Sequence, residues 1–143
     1  MKIKIITLHR VYNYGSVLQA YATQKLIEKY TGADTEIIDY YSSFRTPKAL
    51  IMSNGGYNGV LKIATYRIFH LFSILLKIKT FGGFLNTKCK LTRKYITFDD
   101  LLSSPPIADV YVTGSDQVWN SIYNRGIDKA FYLQLAPLIS KKV

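Results

Sequence analysis

The sequence predicts an α/β fold with a Rossmann-like parallel sheet, and two strand-like runs with a helix between them carry this prediction. The run from Ile3 to Leu8 is apolar and rich in β-branched residues, which is typical of a buried strand, and we interpret TEIIDY at 35–40 as a second strand. Strand, helix and strand in close succession form a βαβ unit. The two strands of such a unit are parallel and their crossover is right-handed.

The segment between the two strands predicts the crossover helix. Ser16 and Gln19 match the S-x-x-Q capping box, so we expect the helix to open at Ser16. Gly32 suits its C-terminal end. Apolar residues recur every fourth position and predict one apolar stripe, made of Leu18, Ala22, Leu26 and Tyr30.

The positive charge of the chain is concentrated in one segment. The net charge is +10, and ten basic residues but no acidic residue lie between Tyr40 and Phe98. We therefore interpret 1–143 as one Rossmann-like domain with a basic helical insertion at 41–104. A basic segment attracts phosphorylated ligands, nucleic acid or acidic lipid headgroups. Nucleic acid is disfavoured, because the aromatic residues of 57–84 fall on an apolar helix and do not alternate with basic residues.

Within this insertion, 59–79 is strongly apolar and predicts a packed amphipathic helix. A helix lying on a membrane surface is the alternative, and a membrane span is disfavoured because charged residues interrupt the run. We expect a second basic helix or turn at 83–95. IADVYVTG at 107–114 predicts a third buried strand, and 128–137 is either strand or loop.

Two polar clusters follow predicted strands. Asn13-Tyr14-Gly15-Ser16 comes after the first strand, and Gly114-Ser115-Asp116-Gln117 comes after the third. In an open parallel sheet, ligands bind outside the carboxyl ends of the strands. The glycines permit close approach of the backbone to a ligand, and the N-terminus of the helix favours a phosphate or a carboxylate. The sequence therefore predicts a ligand site built from both clusters.

Each of these residues also has a purely structural interpretation. Ser16 and Gln19 could only cap their helix, Asn13 could only shape its turn, and Asp116 could cap a following helix. Trp119 could pack in the core. The two histidines, His9 and His70, have no metal-ligand partner in the sequence. Asp39 ends the second strand, where dinucleotide-binding folds keep a ribose-binding acid, but the preceding loop has one glycine and no G-x-G-x-x-G.

Taken together, the segments N-Y-G-S-V-L-Q-A-Y-A at 13–22, E-I-I-D-Y at 36–40 and V-T-G-S-D-Q-V-W-N at 112–120 resemble the polysaccharide pyruvyl transferase family. The resemblance runs from Lys2 to about Lys142. It implies that 1–143 is a truncated N-terminal Rossmann-like domain, the first half of a GT-B-like two-domain fold. The missing C-terminal domain or a partner chain then supplies most donor-binding groups. It also implies that the 143-residue piece alone is inactive.

The resemblance implies transfer of a pyruvyl group from phosphoenolpyruvate to a sugar or lipid-linked glycan of the cell surface, with no cofactor and no metal. It implies a cytoplasmic protein, and the basic segment allows an anionic membrane surface as a further partner at the inner membrane face. The alternatives are a GT-B-type nucleotide-sugar glycosyltransferase and a non-catalytic basic module that binds a membrane surface. Asp116 is the implied catalytic residue. The implied substrate-binding residues are Asn13, Tyr14, Gly15, Ser16, Gln19, Gly114, Ser115, Gln117, Trp119 and Asn120.

Overall fold

A parallel five-stranded sheet forms the centre of the protein. The computed structural model of the chain describes residues 1–42, 45–136 and 141–143. The spatial order of the strands is β3-β2-β1-β4-β5, and every neighbouring pair is parallel. The predicted α/β class with a Rossmann-like parallel sheet is therefore confirmed. The strands are β1 (Lys2–Ile6), β2 (Asp34–Tyr40), β3 (Leu91–Tyr95), β4 (Val110–Thr113) and the two-residue β5 (Lys141–Lys142).

In the described part of the chain, four α-helices and the 3₁₀ helix that follows β4 lie in the connections of the sheet. Helix α1 links β1 to β2, helices α2 and α3 lie between β2 and β3, and α4 lies between β3 and β4. The 3₁₀ helix follows β4. The bounds are α1 (Tyr14–Thr31), α2 (Pro47–Ile51), α3 (Val60–Lys88), α4 (Phe98–Ser103) and the 3₁₀ helix (Asp116–Trp119). Turns occupy most of 120–136, so the strand alternative for 128–136 is wrong.

The sheet is buried on both faces, as parallel sheets require. One face packs against α1 and the end of α3, where Ile5, Ala20 and Leu85 are completely buried. The other face packs against α4 and the turns after the 3₁₀ helix, and Tyr111 and Phe131 fill it. The strands are therefore held between two apolar layers, and their carboxyl ends carry the exposed connections.

Helix α1 buries a different face from the predicted one. Leu18 and Leu26 are each about half exposed, and Tyr30 is 77% exposed. The helix instead buries Val17, Ala20 and Gln24. The fourfold spacing of the predicted stripe drifts around the helix, whereas 17, 20 and 24 follow the i, i+3, i+7 pattern of a single face. The C-terminal prediction is confirmed, since Gly32 adopts the left-handed conformation (φ 63°).

Residues 91–95 form the edge strand β3, so the prediction of a helix or turn throughout 83–95 is wrong. Only Tyr95 in this strand is buried, and its outward residues are Thr, Arg and Lys, so the segment lacks the apolar run of a central strand. The pairing of β2 with β3 shifts register between Ile37 and Asp39. The Thr92 hydroxyl accepts a hydrogen bond (3.0 Å) from Asp39 N at this irregularity.

Helix α3 is 29 residues long, and most of it is not packed. Its buried residues are Phe81, Gly82 and Leu85, all near its C-terminal end. The prediction of a packed helix at 59–79 is therefore wrong for most of that range. Large apolar side chains are exposed there, among them Phe69 and Phe72 at 76% each. By length and composition alone, α3 is apolar enough to cross a membrane.

One buried amide ties three elements together. Gln24 of α1 is completely buried, and its Nε2 donates to the carbonyl oxygens of Thr35 and Lys90, each at 3.1 Å. Its Oε1 accepts from Lys90 N at 3.1 Å. The side chain thus joins backbone groups at the start of β2 and just before β3, and the Lys90 carbonyl oxygen also accepts from Ile37 N of β2 at 2.8 Å.

We expect Gln24→Leu to lower the free energy of unfolding by about 2–4 kcal/mol, because a leucine of similar volume removes all three buried or part-buried hydrogen bonds of Gln24. Urea denaturation followed by circular dichroism measures the change. Gln134→Leu, at an exposed position, is the control, and we expect it to change stability by less than about 0.5 kcal/mol. Equal stability of the two variants would show that the Gln24 bridge contributes nothing.

Candidate functional site

The two predicted polar clusters lie at the point where the strand order reverses. From β1 the chain proceeds to β2 on one side of the sheet, and β4 lies on the other side of β1. The connection after β1 and the connection after β4 therefore start from neighbouring strands. This reversal is the position at which open α/β sheets bind ligands. We call residues 13–16 and 114–117 together the switch-point surface.

Asn13 is the N-cap of α1. Its backbone is extended (φ −141°, ψ 161°), and its Oδ1 accepts a hydrogen bond from Ser16 N at 2.9 Å. The helix therefore begins at Tyr14, and the predicted capping box of Ser16 and Gln19 is wrong. Asn13 lies just before Tyr14, and Asn is as good an N-cap residue as Ser. The sequence pattern alone did not distinguish Asn13 from Ser16 as the N-cap.

The first turn of α1 presents backbone amides to solvent. The first backbone bond of the helix runs from Val17 N to the Asn13 carbonyl oxygen (3.2 Å), so the amides of Tyr14 and Gly15 precede the intrahelical ladder. Asn13, Tyr14 and Gly15 are exposed, and no acidic residue lies in the first turn. The positive end of the helix dipole is thus available to an anion.

Gln19 lies beside both the end of β1 and the loop after β4. Its Oε1 accepts from the buried Thr7 hydroxyl at 3.0 Å, and its Nε2 donates to the Thr23 hydroxyl at 3.0 Å. A Cβ atom added to Gly114 would lie 3.4 Å from Gln19 Nε2, so the loop after β4 passes close to this side chain. Gly114 N donates to the Ile6 carbonyl oxygen (3.1 Å) and extends the β1–β4 pairing. The two clusters are therefore close to each other, with Gln19 next to Gly114.

The loop after β4 contains an unusual backbone. Ser115 has a φ of 81° and a ψ of 132°, a backbone conformation that residues with a Cβ atom rarely adopt. Its hydroxyl accepts from Gln117 N at 3.3 Å at the start of the 3₁₀ helix. Such conformations persist where the surrounding structure holds them, and they are concentrated at functional sites. Asp116 opens the 3₁₀ helix, and its side chain lies outside the described part of the structure.

The remaining predicted residues continue this exposed surface. Gln117 Oε1 accepts from Asn120 Nδ2 (3.0 Å), and Asn120 Oδ1 accepts from Tyr123 N (3.0 Å). Trp119 is 54% exposed, so it does not pack in the core. Its neighbour Val118 is buried instead. The predicted residues therefore form an open surface, since nearly all of them are exposed or half-buried.

A buried charged cluster at the end of β1 and β2 was not predicted. The Arg10 guanidinium binds the Asp39 carboxylate through two hydrogen bonds, of 2.6 Å from Nε and 2.7 Å from Nη2. His9 is completely buried, and its ring nitrogens lie 3.0 Å from the Thr7 carbonyl oxygen and 3.2 Å from Asp39 Oδ1.

The cluster fixes the connection that leads to α1. Burial alone would raise the pKa of Asp39, but the hydrogen bonds from His9 and Arg10 and the charge of Arg10 outweigh it, so the pKa is lowered. Both carboxylate oxygens of Asp39 are in contact with these partners. This argues against Asp39 as an acid that binds a ribose. A His-Arg pair directly after one strand and an Asp at the end of the next parallel strand is the signal that could have revealed the cluster.

A cavity of about 790 Å³ lies beside the switch-point surface. Arg10 and Tyr12 of the β1–α1 connection line it, but neither polar cluster does. Within 1–42, 45–136 and 141–143, no group of three or more His, Cys, Asp or Glu side chains is placed to hold a metal ion. His70 lies on α3, where its Nδ1 is 3.0 Å from the Tyr66 carbonyl oxygen.

We expect Asp39→Asn to lower the free energy of unfolding by about 3–5 kcal/mol at neutral pH, because it leaves the buried Arg10 without its counter-charge. The Asp39 pKa is lower in the folded state than in the unfolded state. Its contribution is therefore present above the unfolded pKa, near 3.9, and is lost as the pH falls through the folded value.

Urea denaturation of both proteins across acidic pH measures this effect, and the difference between them should shrink below about pH 4. Asp99→Asn, at an exposed position in the first turn of α4, is the matched control and should cost less than about 1 kcal/mol. A difference that stays constant down to the lowest pH would contradict the role of the Asp39 charge.

Comparison of the chain with protein-family models, with curated proteins and with solved structures gives no significant match.

Proposed function

We propose that the switch-point surface binds a small phosphorylated carboxylate, phosphoenolpyruvate, and that the chain is a polysaccharide pyruvyl transferase-type protein. The observation that carries this proposal is the proximity of the two clusters at Gln19, which places Gly114 beside the N-terminal part of α1. The exposed amides of the first turn of α1 suit an anion. The resemblance of 13–22 and 112–120 to the pyruvyl transferase family supplies the choice of ligand.

The reaction proposed for the assembled enzyme forms a ketal. Two sugar hydroxyl oxygens form bonds to C2 of phosphoenolpyruvate, and the C2–O bond to phosphate breaks. One hydroxyl proton ends on the methylene carbon, which becomes a methyl group, and the other leaves with phosphate. This chemistry needs a group that transfers protons and donors that stabilise the departing phosphate. Asp116 is our candidate for proton transfer, and the amides of the α1 first turn are our candidates for phosphate binding.

In our proposal, a second protein surface, outside the switch-point surface, completes this site. The switch-point surface is open, and the Arg10 guanidinium is occupied by Asp39. We therefore expect the cations that face the phosphate to come from a further domain or a partner chain, in a GT-B-like arrangement. In the same proposal, 41–104 is an insertion into the first domain of that arrangement.

The first test is calorimetric titration of the chain with phosphoenolpyruvate. We expect Gly15→Glu to weaken binding by about tenfold or more, because it places a negative charge at the anion site. A glutamate in the first helical turn is favourable to the helix itself, so the fold should be retained. Ala22→Glu adds the same charge at an exposed position further along α1 and should leave the affinity unchanged.

Equal weakening by both variants would contradict an anion site at the first turn. Tighter binding of a uridine diphosphate sugar than of phosphoenolpyruvate would instead support the nucleotide-sugar glycosyltransferase alternative. If neither ligand binds, the proposed site is wrong for the chain by itself.

A second function is favoured by the exposed side of α3. Six large apolar side chains of this helix are exposed and fall on one side of it, which we call the apolar face of α3: Leu61, Ile68, Phe69, Phe72, Leu75 and Leu76. Large apolar side chains that are exposed together on one surface mark an interaction surface. The basic residues Lys62, Lys77 and Lys79 lie on the same helix. We propose that the apolar face of α3 lies on an anionic membrane surface.

Liposome flotation tests this second proposal. We expect the chain to float with vesicles of phosphatidylcholine and phosphatidylglycerol at low salt, and less with phosphatidylcholine alone. Replacement of Phe69 and Phe72 together by Glu should abolish flotation, because charged residues cannot enter the acyl region. Tyr30→Glu, at an equally exposed aromatic position on α1, is the control. Unchanged flotation of the double variant would contradict the proposal.

A further inference from the structure

Helices α2 and α3 border the cavity of about 790 Å³, together with the β1–α1 connection and the turns near residue 125. Ligand cavities in proteins commonly have volumes of about 300–1,000 Å³, so this cavity can hold a small molecule or part of a lipid. Arg67 of α3 donates from Nε and Nη2 to the carbonyl oxygens of Ser53 (3.3 Å) and Met52 (2.5 Å), just after α2. The two helices that border the cavity are therefore joined to each other.

The inner side of α3 presents aliphatic side chains to this cavity. Ile63, Ile74 and Ile78 line it, and each is only half-buried, so part of their apolar surface faces the cavity. Leu50 of α2 and Val11 of the β1–α1 connection add further aliphatic surface. Contact between apolar surface and water is unfavourable, so a ligand that covers these side chains with its own apolar surface is stabilised.

Two arginines of the cavity wall bind groups of the protein itself. Arg10 forms its bidentate contact with Asp39. Arg45 donates to Asn124 Oδ1 and to the Tyr123 carbonyl oxygen, both at 3.1 Å. These guanidinium groups are hydrogen-bonded within the protein, and the aliphatic surface is therefore the feature of the wall that we use to choose a ligand.

The tyrosine rings of the cavity favour an aliphatic ligand over an aromatic one. The Arg45 guanidinium lies over the Tyr123 ring, 4.5 Å from its centroid. The Tyr66 ring stacks on His70 with centroids 4.1 Å apart. A flat aromatic ligand would have to displace these stacking partners. A flexible alkyl chain can contact the isoleucines of α3 without displacing them.

We propose that this cavity binds one aliphatic chain of a membrane lipid. The apolar face of α3 lies on the other side of the helix whose inner side lines the cavity, so the two are separated by one helix diameter, about 10 Å. The choice of a lipid as the source of the chain rests on the proposed membrane contact of α3. The preference for an aliphatic chain rests on the cavity wall alone, and the cavity shares no residue with the switch-point surface.

Calorimetric titration with soluble alcohols tests the preference for an aliphatic chain. We expect 1-octanol to bind about tenfold or more tightly than 1-hexanol, because each buried methylene group tightens binding by about fourfold. The control is 1,8-octanediol, which should bind at least about tenfold more weakly than 1-octanol, because it would bury a second hydroxyl group against the isoleucines. Equal affinities for 1-hexanol and 1-octanol, or for 1-octanol and the diol, would overturn the proposal.

Two neighbouring residues of α3 provide a matched pair of variants. Ile74 lines the cavity, whereas Leu75 belongs to the apolar face of α3. Ile74→Gln should weaken 1-octanol binding by about tenfold or more, because it places an amide in the aliphatic wall, and Leu75→Gln should leave that binding unchanged. Neither residue is among the buried residues of α3 and Gln is a good helix former, so both variants should keep the fold. Equal effects of the two variants would overturn the proposal.

A photoreactive lipid tests the source of the chain. The chain is irradiated on vesicles of phosphatidylcholine and phosphatidylglycerol that contain a phospholipid with a diazirine at the end of one acyl chain, and the labelled peptides are identified by mass spectrometry. We expect label on α2, which lines the cavity through Ala49 and Leu50 and is not part of the apolar face of α3. Label confined to the apolar face of α3 would overturn a membrane lipid as the source. Failure of the chain to float would contradict the membrane contact, whereas the titration with alcohols needs no vesicle.

Discussion

The bidentate contact between Arg10 and Asp39 is the interaction on which the functional end of the molecule depends. It joins the first residues after β1 to the last residues of β2, so the chain leaves the sheet in one fixed direction. Asn13 follows three residues later and starts α1. Both the switch-point surface and the cavity of about 790 Å³ use this connection, since Arg10 and Tyr12 line the cavity and Asn13 belongs to the switch-point surface. Loss of the ion pair would therefore disturb two surfaces that share no residue.

The sequence allowed the βαβ unit and the parallel sheet to be predicted, because Ile3–Leu8 is an apolar run of strand length and a helical segment separates it from the strand-like segment Thr35–Tyr40. It did not reveal β3, because the LTRKY segment is an edge strand with one buried residue. It also gave the wrong buried face for α1. The residue that bridges α1 to the sheet is Gln24, a polar side chain that a search for apolar periodicity passes over.

The site was predictable in position and less so in detail. Two polar clusters after two strands meet wherever those strands are neighbours, and the order β2-β1-β4 makes them neighbours. The roles within the clusters depend on hydrogen bonds that sequence spacing does not determine. Asn13 is the N-cap, although the sequence pattern assigned that role to Ser16. Gln19 forms hydrogen bonds with the hydroxyl groups of Thr7 and Thr23. The partners of His9 and Arg10 lie about thirty residues away and became visible only once β1 and β2 were paired.

Helix α3 is anchored near one end, at Phe81, Gly82 and Leu85, and it extends about 32 Å from Phe81 back to Val60 at 1.5 Å per residue. Because its buried residues lie near this end, the helix is a long rod whose pivot is its contact with α1. A tilt of about 5° at this pivot displaces the far end by about 3 Å. Because α3 also forms one wall of the cavity of about 790 Å³, the same tilt changes the width of that cavity. Whatever contacts the outer surface of the helix can thus change the shape of the cavity on its inner side.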